Sequence, residues 1–150
     1  MGHSYSRYVT DRLNDVGVNA ELQPLEFARD KADRRRFTLH EKDVMTSAGV
    51  LEVKSSSRVF TDDPCDYPAP TLIVDTLHGF TSKIRKPIAY CMVSQKTNAI
   101  VVVPVSSQPS WCVQNLYDRH RELYDDFLIA DRRVLRSFGD LVEWLRGKHS

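Results

Sequence analysis

Between Asp43 and Lys54 the chain reads Asp-Val-Met-Thr-Ser-Ala-Gly-Val-Leu-Glu-Val-Lys, a stretch that can form two short strands joined by a turn. Side chains on a strand alternate faces, so Glu52 and Lys54 point one way while Leu51 and Val53 point the other, into a core. A two-residue connection at Ser47-Ala48 sets Thr46 against Gly49 and, further along the ladder, Asp43 directly against Glu52. The roots of such a cross-strand pair lie roughly 5 Å apart. Two carboxylates that close repel unless something positive sits between them. An Mg²⁺ ion, which takes carboxylate oxygen, water and substrate phosphate, fills that role, with Mn²⁺ as its substitute. The same register puts Glu41 opposite Lys54, so Lys54 is either a catalytic lysine beside the ion or the ion-pair partner of Glu41. Ser-Ala is not a favoured two-residue turn and Gly49 suits a longer loop with a shifted register, so both hairpins are open to this sequence.

Asp43, Glu52 and Lys54 resemble the motif of the PD-(D/E)XK nuclease superfamily, the fold of many restriction enzymes, Holliday-junction resolvases and phage recombination nucleases. Lys42 stands where the name-giving proline often does. The resemblance implies an αβββαβ core, metal held by Asp43, Glu52 and the Val53 carbonyl, and Lys54 acting on the attacking water. It also implies products with 5′-phosphates, and dimers, because cutting both strands needs two sites. The alternative is a charged hairpin face that is merely solvated.

At 150 residues the chain suits one domain, residues 1–150, able to bury about 70% of its unfolded surface. The formal charge of +1 selects neither acidic nor basic partners, so local charge carries the argument. Arg34, Arg35 and Arg36 precede the strand of Asp43, and Lys83, Arg85 and Lys86 cluster in mid-chain. Further arginines gather towards the end. With Ser55, these residues could meet DNA phosphates, duplex or branched, if the fold brings them to one side. Cys65, Cys91 and Cys112 are odd in number and widely spaced, which reads as free thiols in a reducing compartment. No apolar run approaches the roughly 18 residues of a membrane helix and there is no signal-peptide core. The expected location is the cytoplasm, the host's for a phage-encoded chain.

Helical spacing of Tyr5, Tyr8, Val9, Leu13 and Val16 predicts a first helix closed by Gly17. Asn19 to Ala28 is ambiguous, with Pro24 favouring an edge or bent strand. Phe37 to Met45 predicts a second strand and Val50 to Phe60 a third, followed by a loop through Pro70. Leu72 to Ile84 fits a helix through Ile73, Leu77, Phe80 and Ile84, although Thr71 to Val74 alone would make a strand; the helix is preferred here. Ile88 to Val93 and Ala99 to Val105 predict a hairpin buried on both faces. Trp111, Leu116 and Tyr117 suggest a short helical segment, Phe127 to Ala130 a further strand, and Ser137 caps a final helix. That helix is expected to pack Leu141, Val142, Trp144 and Leu145 inward and to end at Gly147. The fold class is α/β: a mixed central sheet flanked by helices, a restriction-endonuclease-like core with a C-terminal strand-helix extension.

No phosphate-binding Gly-rich loop, Gly-x-Ser-x-Gly elbow or His-Glu-x-x-His is present, so P-loop hydrolysis, acyl transfer of the α/β-hydrolase kind and zinc proteolysis lack support. His40, by alternation, lies on the face opposite Asp43. A further acid for the site could come from Asp11, Asp15 or Glu21. The expectation is a Mg²⁺-dependent DNA endonuclease of phage or bacterial recombination or defence. The rival is a nuclease-like fold that binds DNA or a protein partner without cutting, as a phage structural or counter-defence protein would.

Overall fold

The computed structural model describes residues 4–23 and 43–148. Helix α1 (Tyr5–Asp15) begins where the Ser4 side chain accepts a hydrogen bond from the Arg7 amide at 3.2 Å and turns off at Gly17, whose φ of 86° suits glycine. Its Val9 and Leu13 are fully buried. Strand β1 (Ala20–Leu22) then pairs antiparallel with β2 (Val44–Thr46), and β2 with β3 (Gly49–Ser56).

The turn between β2 and β3 takes the two-residue form. Thr46 pairs with Gly49, Met45 with Val50 and Val44 with Leu51. The poor turn propensity of Ser47-Ala48 is offset by a side-chain clamp: the Thr46 hydroxyl donates to the Gly49 carbonyl at 2.7 Å and accepts from its amide at 3.2 Å. Gly49 is required on two counts. Its φ is 148°, and an added Cβ would fall 2.6 Å from Cγ2 of Ile88.

Strand β3 pairs in parallel with β5 (Ala89–Ser94), which forms an antiparallel hairpin with β6 (Ile100–Pro104). The short β9 (Arg136–Ser137) completes a sheet of order β1-β2-β3-β5-β6-β9. A second sheet of order β4-β8-β7 is built from β4 (Thr71–Thr76), β7 (Cys112–Asp118) and β8 (Leu123–Asp131). Alternation explains the uninterrupted apolar character of β5. Ala89, Cys91 and Val93 enter a core shared with α1 and the terminal helix α3 (Phe138–Lys148), while Tyr90 and Met92 enter a second core between the two sheets. Helices α1 and α3 thus cover one face of the central sheet and the second sheet covers the other, a mixed α/β arrangement.

Four sequence expectations need correction. Leu72 to Ile84 is not one helix: it divides into β4 and a single-turn helix α2 (Leu77–Thr81). The strand prevails because Leu72 and Val74 reach the inter-sheet core, and because Thr76 caps α2 by accepting from the Gly79 amide at 2.8 Å. The segment predicted helical around Leu116 and Tyr117 is strand β7, paired along its length with β8; only Val105–Ser110 before it is a 3-10 helix. Trp144 is 46% exposed while Leu141, Val142 and Leu145 are buried, and α3 continues past Gly147 to Lys148. Strand β3 ends at Ser56, after which Phe60 folds back beneath the second sheet and packs on Tyr67 at 5.5 Å. Among the described residues, no helix is long and apolar enough to cross a membrane.

Candidate functional site

The β2–β3 hairpin supplies the first two acids. Asp43 immediately precedes β2, and its carbonyl accepts from the Gln23 amide at 2.9 Å, holding it against β1. Continuing the observed register by one residue brings Asp43 opposite Glu52. The backbone of β3 reveals the type of pair. Val50 accepts from the Ile88 amide and Ser56 from the Gln95 amide, both at 2.8 Å, so the even-numbered carbonyls face β5 and the odd-numbered ones face β2. Asp43 and Glu52 therefore occupy a non-hydrogen-bonded position, where Cα atoms stand only about 4.5 Å apart. By the same alternation the Val53 carbonyl turns to the β2 side, the side of Asp43. Its side chain is buried in the helix-side core.

Glu52, Lys54 and Tyr90 share the face of the central sheet that meets the second sheet, since Glu52 pairs with Tyr90 and Lys54 with Met92. There the second sheet contributes an acid that sequence reasoning missed. Asp75 lies just past an irregularity in β4, where the register with β8 shifts between Ile73 and Asp75. That shift turns a nearly buried carboxylate inward. Its Oδ2 accepts from the Tyr90 hydroxyl at 2.7 Å and Lys83 Nζ at 2.8 Å, its Oδ1 from the Thr76 amide at 2.8 Å, and Lys54 Nζ stands 3.6 Å away. Gly79 permits this, because a Cβ there would meet the Asp75 carboxylate at 2.9 Å.

Two lysines bridge the sheets. Lys54 Nζ is 3.1 Å from Glu52 and Lys83 Nζ is 3.3 Å from it, so each ammonium lies between Glu52 and Asp75. Lys83, expected as a phosphate contact, thus belongs to the same cluster as Lys54. Burial by itself would push Lys83 down, yet its hydrogen bond to Asp75 and the charge of Glu52 hold its pKa above the ordinary value. Burial likewise acts to raise Asp75, but Lys54, Lys83 and the Tyr90 hydroxyl outweigh it and the carboxyl is held below the usual range. Tyr90 is driven far upward by burial and the neighbouring acids, so it is a donor at every working pH.

Asp43 is the exception. Burial first, then the charge of Glu52, pushes its pKa up to about 6, with Lys83 and Lys54 only partly opposing. Among the described residues, no basic side chain comes within ion-pair distance of it. A pair of carboxylates with one member only partly compensated among the described residues, beside a backbone carbonyl, is a hard-oxygen donor set of the kind Mg²⁺ accepts. No group of three or more His, Cys, Asp or Glu side chains among the described residues is arranged to hold a metal ion. The chain's own donors would be two carboxylates and a carbonyl, with water and substrate phosphate supplying the rest, the usual manner of Mg²⁺ binding.

Other expected contributors are distributed as follows. Ser55 is exposed at the end of β3 and its hydroxyl accepts from Gln95 Nε2 at 3.0 Å. Asp11 and Asp15 lie on α1, across the sheet from Glu52. Glu21 is on the correct face, since it pairs with Met45 and Met45 with Val50, one alternation from Asp43. Arg34, Arg35 and Arg36, with His40 and Glu41, lie outside the described residues. Of the C-terminal arginines, Arg121 is taken up by Asp118 and Asp125, and Arg133 by Asp131.

Tyr90 carried a signal in the sequence: a lone hydroxyl in an aliphatic strand needs a partner. Asp75 carried a weaker one, an acid ending a β-branched run just before a Thr cap. Cys91 is buried, its thiol pushed up to about 12 by burial alone, which makes it a packing residue. Compared with known proteins, the chain matches no protein-family model and no curated sequence.

Proposed function

We propose that this chain is a Mg²⁺-dependent endonuclease that hydrolyses DNA phosphodiester bonds, with Asp43, Glu52 and Lys54 as its working residues. The observation that carries the reading is the hairpin register: it faces Asp43 with Glu52 and leaves Lys54 on the same strand face, 3.1 Å from Glu52. The element order supports it. Among the described residues, a helix, three strands paired antiparallel and a strand parallel to the third resemble the αβββαβ plan of the PD-(D/E)XK superfamily. Here, however, the crossover between the parallel strands holds β4 and the single turn of α2 in place of a full helix.

Mg²⁺ bound by Asp43, Glu52 and the Val53 carbonyl would polarise the scissile phosphate and lower the pKa of a bound water. The chain's own side chains divide the remaining work. Lys83 and Tyr90 satisfy Asp75, so the longer 3.6 Å contact of Lys54 to that acid is the one most readily given up. Lys54 can then turn its ammonium to the attacking water and to the charge that builds on the phosphoryl oxygens.

A second reading has an observation of its own. Lys54 and Lys83 already neutralise Glu52 and Asp75, as they would in a nuclease-like fold that binds DNA and does not cut. Incubating the full chain with plasmid, single-stranded and branched DNA in Mg²⁺ or Mn²⁺ separates the two. Cleavage by wild type that is lost in Lys54→Ala supports the enzyme; DNA binding with no cleavage in either metal supports the second reading.

A further inference from the structure

Beside Lys54 and Asp75 the two sheets part to leave a cleft of about 310 Å³, at the small end of the ~300–1,000 Å³ range of ligand sites. Its lining is mixed in chemistry: Lys54, Ser56 and Arg58 bring cations and a hydroxyl, and Tyr67 and Phe127 bring aromatic rings.

The placement of Phe127 follows from strand pairing. It lies opposite Thr76 on β8, one ladder position from the pair Asp75 and Leu128, and lines the cleft. Arg58 is exposed, and among the described residues it forms no ion pair, whereas Lys54 and Lys83 are both engaged with acids. Among the described residues, the lining cation without an acid partner is therefore Arg58, two residues beyond the end of β3 at Ser56.

Cations and aromatic rings lining one cleft are what a nucleotide asks for: a partner for its phosphate and a partner for its base. The volume fits one nucleotide. A duplex, whose major groove alone is about 12 Å wide, is too broad for it.

We propose that this cleft receives a single unpaired nucleotide of the substrate strand, its phosphate at Arg58 and its base stacked on Phe127, so that the enzyme acts on single-stranded or frayed nucleic acid. The proposal rests on the nuclease reading for its position beside the scissile phosphate, but its binding chemistry stands apart from catalysis. Ribose and deoxyribose strands present the same phosphate and base faces, so both are included in the test.

Fluorescence anisotropy of the full chain in EDTA, with labelled single-stranded DNA, single-stranded RNA and duplex DNA of one sequence, measures binding without cleavage. Single strands are expected to bind more tightly than duplex, and the better of DNA and RNA identifies the sugar. Loss of a base–aromatic stack should weaken single-strand binding roughly 5- to 150-fold in Phe127→Leu, while Phe127→Tyr retains it. Arg58→Ala should weaken it and flatten its salt dependence by about one phosphate. A melting temperature within a degree or two of wild type qualifies each variant, and Phe127→Tyr controls for packing.

Equal or tighter duplex binding, no measurable binding of either strand, or unchanged affinity in both Phe127→Leu and Arg58→Ala would overturn the proposal. Single-strand binding that depends on Phe127 and Arg58, with no cleavage in Mg²⁺ or Mn²⁺, would sink the catalytic reading and leave this one standing. Metal-dependent duplex cleavage indifferent to Phe127 and Arg58 would do the reverse.

Discussion

Lys83 Nζ lies 2.8 Å from Asp75 Oδ2, and the same ammonium stands 3.3 Å from Glu52 on the other sheet. One cation thus ties together two carboxylates that no stretch of sequence places side by side. Removing it leaves Asp75 nearly buried with Lys54 only at 3.6 Å. Breaking a buried pair in this way costs about 3–5 kcal/mol, and because the Lys83 side chain is 25% exposed the expected loss is smaller, about 2–3 kcal/mol. Urea denaturation of Lys83→Met at pH 7 measures it. A change below about 0.5 kcal/mol would show that the bridge is an ordinary surface contact.

Asp43 gives the pH dependence its sign. Its pKa in the folded chain is about 6 against an ordinary 3.8, so the folded state holds this proton more tightly than the unfolded state does. Stability from this group is therefore present below about pH 4 and declines as pH rises through about 6, the opposite of an ion-paired acid. Asp43→Asn should melt with wild type near pH 4 and several degrees higher at pH 7.5, read by thermal denaturation in EDTA. A variant that melts lower than wild type at pH 7.5 would mean that Asp43 is compensated.

Gly49 makes the facing of Asp43 and Glu52 depend on a single backbone position. In Gly49→Ala the new methyl meets Ile88 Cγ2 at 2.6 Å in a φ of 148°. The expected loss is about 1–3 kcal/mol from overpacking and strain. Any relief that shifts the turn by one residue moves Glu52 to the opposite face, so cleavage should fall more than stability does. Parallel urea melts and cleavage rates test this, and equal, small effects on both would show that the turn does not set the site.

The hairpin was legible in the sequence because its information is local. A period of two fixes faces, so Glu52 and Lys54 could be placed together, while their facing to Asp43 stayed open between the two-residue turn and the longer loop that Gly49 also suits. Leu72 to Ile84 misled because Ile73, Leu77, Phe80 and Ile84 do recur at helical spacing, while the decisive facts are tertiary: Val74 is wholly buried between sheets and Ile84 wholly exposed. Asp75 was hidden by that same segment, since its partners Tyr90 and Lys83 reach it only through a strand irregularity and an inter-sheet contact. Strand β7 was misread for a related reason. As an edge strand it is exposed along much of its length and shows no clean alternation of its own, and its pairing with β8 supplies the order that its side chains do not.

A nuclease of this kind requires Asp43 and Glu52 to hold a divalent cation jointly. Calorimetric titration of the full chain with Mn²⁺ at pH 7.5 tests it most directly. One binding event is expected in wild type, absent from both Asp43→Ala and Glu52→Ala and retained in Arg58→Ala, since Arg58 lies outside the oxygen donor set. Undiminished Mn²⁺ binding in both Asp43→Ala and Glu52→Ala, or no binding to wild type, would contradict it.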